Sequence, residues 1–93
     1  MDKRKLKKAR NEIDKLDNSI FILLKKRTRI VKHMLNLKQH KKEIIDRARI
    51  NEIVKKIKKK SINNNIDPKI TTTIWKSMIW SYIDYQKRNF KKK

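Results

Sequence analysis

One helical pattern limits what this chain can fold into. Apolar side chains recur at Leu6, Ala9, Ile13, Leu16, Ile20 and Leu23, and again at Ile30, Met34 and Leu37. Steps of three and four trace a single helix face, and no Gly or Pro interrupts it. A helix from about Lys3 to Lys38 would be roughly 50 Å long, whereas a compact domain of this size has a radius of gyration of only about 13 Å. One small subunit cannot cover such a stripe, and it buries little apolar surface of its own, so a second copy of the chain is expected against it. Arg27 falls on the stripe. Lys38 comes within about 20° of a whole number of turns from it, so both cations project the same way. Two permanent cations on a packed face point to an anion.

The remainder reads as two shorter helices. A polar connection, Gln39 to Glu43, follows the first helix. Asp46 then suits the N-cap of a second helix through about Lys60, with Ile50, Ile53, Val54 and Ile57 as its buried face. Ser61 to Ile66, with three consecutive asparagines, reads as a loop. Asp67-Pro68 is the clearest boundary, a capping side chain before a residue preset for the first helical turn. Helix three runs from there to about Phe90. On it Trp75, Ile79, Tyr82 and Gln86 step by four, three and four onto one face, which places a polar amide in an apolar stripe. No alternating strand pattern and no repeat occurs. The expected fold is all-α, three helices per chain with a long N-terminal one, in a single domain over residues 1–93.

Composition removes several chemistries. The chain has no Cys, so a thiolate nucleophile and a zinc-thiolate site are excluded. His33 and His40 cannot form a metal site by themselves, and neither is given a role. No apolar run reaches the roughly 18 residues of a membrane span, and the N-terminus lacks the apolar core of a signal peptide, so a cytoplasmic protein is expected. The balance of 29 Lys and Arg against 9 Asp and Glu is compatible with a nucleic-acid partner. The lysines, however, are spread over every helix and both tails, and the few aromatics sit on an apolar stripe. No specific nucleic acid is expected.

The run Arg10-Asn11-Glu12-Ile13-Asp14-Lys15-Leu16-Asp17, continuing to Ile20, Leu23-Leu24 and Arg27, resembles the opening helix of the all-α chorismate mutases. The likeness extends in order through Lys38, Ile44, Asp46, Arg49, Asp67-Pro68, Ile74-Trp75 and Gln86. This resemblance implies an intertwined homodimer in which three helices from each chain enclose two sites, with no cofactor and no metal. It implies that Arg10, Arg27 and Arg49 handle the carboxylates of a dianionic substrate, chorismate. It also implies that Lys38 and Gln86 reach the substrate's ether oxygen and that Asp46 helps hold the ring hydroxyl. Arg27, Lys38 and Gln86 are the catalytic candidates, and Arg10, Asp46, Arg49 and Tyr82 join Arg27 as substrate-binding ones. Geometry agrees with sharing between copies: Arg10 and Lys38 are separated by about 42 Å along one helix, so Arg10 must serve the partner's site.

The chemistry suits these residues. Chorismate becomes prephenate in one concerted step, with no proton transfer and no covalent intermediate. Guanidinium forks select the compact conformer of the dianion, and donors at the ether oxygen meet charge that grows as its bond stretches. Two positions depart from the family pattern. Ile50 stands where a glutamate usually follows the third arginine, and Tyr82 where a small hydroxyl residue often precedes the glutamine. Both are similar to the isochorismate-pyruvate lyases of the same fold, which form the alternative; a basic nucleic-acid-binding module is the third reading. Taken singly, Arg10 reads as a surface partner of Asp14, and Lys38 as a helix-end cation favoured by the dipole. Their joint fit carries the family assignment, and the retained Asp46 favours a mutase feeding aromatic amino-acid synthesis over the lyase.

Overall fold

A computed structural model of the chain describes residues 2–92, and among these every regular element is helical. Helix α1 spans Lys3–Leu37, α2 spans Arg47–Asn63 and α3 spans Pro68–Asn89, with a 3-10 turn at Lys41–Ile44 between α1 and α2. No helix among the described residues is long and apolar enough to cross a membrane. The chain divides into two units with a boundary between Lys32 and His33.

From Lys3 onward the first unit is a single helix. Its start is fixed by Asp2, whose carboxylate accepts the peptide N–H groups of Arg4 and Lys5 at 3.0 and 3.2 Å and so satisfies two orphan donors of the first turn. The apolar stripe expected from sequence stays in solvent here: Ile13, Leu16, Ile20, Leu23 and Ile30 are between 53% and 63% exposed. Isolated helices draw little stability from propensity, and most of it comes from burying an apolar face. This unit therefore presents an apolar stripe to solvent.

The second unit holds the core. Leu35, Ile44, Ile79 and Ile83 are buried together, and Ile45, Ile50, Ile53 and Phe90 pack against them. α2 lies along α3, and the 3-10 turn packs on α3. Asp46 caps α2 through a 3.0 Å bond from the Arg49 N–H, and Asp67 caps α3 through a 2.9 Å bond from Lys69, with Pro68 in the first turn. All four apolar residues assigned to the inner face of α2 are half-buried.

The polar connection after α1 contains the 3-10 turn Lys41–Ile44, which drives Ile44 into the core. One local expectation needs correction: Ser61 to Ile66 is not all loop, because α2 continues to Asn63. Ser61 is buried, and its hydroxyl donates to the Ile57 carbonyl at 2.6 Å and pairs with the Thr71 hydroxyl on α3 at 2.6 Å. That bond between helices holds the last turn in place. The helix then stops in a Schellman arrangement, with Ile66 N–H on the Ser61 carbonyl and Asn65 N–H on the Ile62 carbonyl. Asn65 takes the left-handed position at φ 58°, a site that usually calls for Gly and that Asn tolerates.

Candidate functional site

Five of the seven residues singled out from sequence belong to the second unit: Lys38, Asp46, Arg49, Tyr82 and Gln86. Lys38 follows the last residue of α1, where its N–H still donates to the Leu35 carbonyl at 3.2 Å. Its ammonium donates to Gln86 Oε1 at 2.6 Å, a short charge-assisted bond between segments 48 residues apart. Gln86 is buried on α3, and its amide N–H donates back to the Tyr82 carbonyl at 3.2 Å. Both ends of the amide are thus used, the oxygen on Lys38 and the amino group on the helix. Tyr82 itself is half-buried beside this pair in the chain.

Burial pushes the Lys38 ammonium below the ordinary lysine value, and the negative charges of Glu43 and Asp46 oppose that shift. Desolvation disfavours a charged amine, and nearby carboxylates restore part of the loss. Asp46 therefore acts twice, as N-cap of α2 and as counter-charge to Lys38.

Arg49 stands in the first turn of α2 with its guanidinium on Glu52 at 3.2 Å, and Lys56 approaches the same carboxylate oxygen at 3.8 Å. All three side chains are more than half exposed, so these pairs are worth well under about 1 kcal/mol each. A carboxylate offering both oxygens to the guanidinium competes readily with such a pair.

Arg10 and Arg27 lie on α1 in the first unit, Arg10 exposed and Arg27 half-buried. Seventeen residues separate them, about 25 Å along the helix, so one small molecule cannot touch both from a single copy. The structure joins Lys38 directly to Gln86 and sets Asp46 in electrostatic range of Lys38. Arg49, in the same unit, is held by Glu52 instead.

Two residues escaped the sequence reading. Glu52 holds Arg49, a contact that i, i+3 spacing on a helix allows. Glu43 accepts the N–H groups of Gln39 and His40 at 2.8 and 3.2 Å, which keeps its carboxyl below the usual carboxylate range. A Glu three residues after the first residue of a turn is the second half of a capping box, and that was the available signal.

The family model described as chorismate mutase type II matches residues 9–87. Neither the search of curated proteins nor that of solved structures returned a match.

Proposed function

From the premise that the chain belongs to the chorismate mutase type II family, we propose that it rearranges chorismate to prephenate at a site shared between two copies. The observation that carries the reading is the partly buried 2.6 Å bond between the Lys38 ammonium and the Gln86 amide, the two residues that the resemblance matches to the family's ether-oxygen donors. Lys38 donates to the ether oxygen as the carbon–oxygen bond lengthens. Gln86 joins it once its amide turns over, giving up the Lys38 contact through oxygen and offering its amino group instead. Such donors bind the stretched transition state better than the ground state, which is the condition for raising kcat.

Arg49 and Arg27 grip the carboxylates and hold the two reacting carbon ends together, so the entropy of folding the dianion is lost on binding. Asp46 orients the ring hydroxyl. Arg10 comes from the other copy. The exposed stripe of α1 supports that arrangement, since pairing of two such helices buries it and lays the N-terminal half of one along the C-terminal half of the other.

Ile50, half-buried against the core, and Tyr82 favour one second reading, lyase action on isochorismate. Salicylate from isochorismate, with negligible prephenate from chorismate, decides for it.

Subunit complementation tests the main reading. Arg10→Ala and Lys38→Met are each expected to be inactive as homodimers. Mixed one to one and allowed to exchange, half the dimers are mixed, and each of those has one intact site, so about a quarter of wild-type turnover returns. No recovery, with exchange verified, removes the shared site. Activity in the Lys38→Met homodimer removes Lys38 from the chemistry.

A further inference from the structure

The turn after α1 contains a carboxylate for which the reaction itself has no use. Glu43 Oε2 accepts the N–H of Gln39 at 2.8 Å and that of His40 at 3.2 Å, the two peptide groups immediately after Lys38. On the other side, the Lys38 N–H is held by the Leu35 carbonyl at 3.2 Å. The peptide planes flanking Lys38 are therefore fixed from both directions. Glu43 is anchored in turn: its N–H donates to the His40 carbonyl at 3.0 Å, and the next residue, Ile44, is buried in the core against α3. A lysine at a helix end ordinarily loses both backbone and side-chain freedom when it is ordered. Here a rigid backbone limits what remains to be ordered to the side chain.

We propose that Glu43 is a positioning residue for Lys38: its carboxylate clamps the backbone from which the ammonium departs and supplies a fixed negative charge facing it. The proposal rests on the reading of Lys38 as the ether-oxygen donor. The groups that face the ammonium are Glu43 from the 3-10 turn, Asp46 from the cap of α2 and the neutral amide of Gln86 from α3; His40 faces Glu43 in turn. Two backbone N–H bonds hold Glu43 ionised well below neutrality, so its charge is constant wherever Lys38 titrates. Loss of that charge withdraws support from the ammonium, and Lys38 then deprotonates at lower pH.

Two variants separate the clamp from the charge. Glu43→Gln keeps an oxygen for both N–H groups and removes the charge, while Glu43→Ala removes both. The first readout needs no substrate: an NMR titration of the lysine side chains in the full-length protein, with the Lys38 signal identified by its loss in Lys38→Met. Lys38 is expected to titrate below the ordinary lysine value in the wild type and lower still in Glu43→Gln. Superimposable titrations overturn the proposal. The second readout is turnover of chorismate against pH. Glu43→Ala is expected to lose about ten- to a hundredfold in kcat with KM little changed. Glu43→Gln recovers most of that loss, with the alkaline limb of its profile moved to lower pH. Wild-type kcat in Glu43→Ala overturns the positioning role. If Glu43→Ala fails to fold, the Glu43→Gln titration decides alone. A wild-type protein that leaves chorismate untouched while the titration shift is present removes the mutase reading and keeps the Glu43–Lys38 pair.

Discussion

Truncating the exposed stripe of α1 should dissolve the dimer without melting the helix. Leu16 is 63% exposed and Ile20 is 53% exposed in the single chain. Converting either to alanine deletes three carbons, about 2.4 kcal/mol at full burial by the per-methylene rule. Scaled by those exposures, each side chain has about 1.4 kcal/mol still to gain from a partner. A two-fold interface counts every substitution twice, so Leu16→Ala with Ile20→Ala removes about 5.6 kcal/mol of association, roughly four orders of magnitude in Kd. Alanine is the best helix former, so the helical signal is retained. Sedimentation velocity over a concentration series reads the outcome: the wild type dimeric at micromolar concentration, the double variant monomeric. Ile22→Ala is the control, because Ile22 is 54% exposed but lies about 130° around the helix from the stripe. A wild-type monomer, or a double variant that associates like the wild type, refutes the reasoning.

Turnover should fall on the alkaline side at a pH below the ordinary lysine value of about 10.4, because burial lowers Lys38 and only its protonated form donates; a plateau running past that value would show that Lys38 is not the donor. Gln86→Leu, nearly isosteric and buried, removes the second donor and should cost about a hundred- to a thousandfold in kcat with the circular dichroism spectrum unchanged, as measured by chorismate consumption. Asn65→Gly relieves the left-handed position at the end of α2 and should stabilise the protein by a few tenths to about 1 kcal/mol, raising Tm by a few degrees in a thermal melt. A lowered Tm for that variant would place the side chain of Asn65, not its backbone, at the centre of the turn.

The boundaries that could be read from sequence were those with local causes. Asp67 and Pro68 start α3 by their own covalent and capping chemistry, and Asp46 starts α2 in the same way. The end of α2 was not readable, because the bond that extends it joins Ser61 to Thr71 on the next helix. Three asparagines in a row signal a turn, yet only Asn65 takes the left-handed conformation. At the candidate site, the helical period put Gln86 on the apolar face of α3, but no periodicity could tell which way its amide points. That orientation depends on the Tyr82 carbonyl and on Lys38, far away in sequence. Glu43 was obscured for a related reason: its partners are the peptide groups of Gln39 and His40 just ahead of the 3-10 turn, and that turn has too few residues to show a hydrophobic rhythm.

Glu52 has two cations within reach, and this matters for how Arg49 can be recruited. On the proposed reading Arg49 leaves Glu52 for a substrate carboxylate, and Lys56, already within 4 Å of the same oxygen, can then close in. The abandoned acid is never stranded, so handing over the guanidinium costs little. Surplus lysine on this surface thereby serves as a reserve of replacement partners, and the arginine can change allegiance without disturbing the helix that bears it.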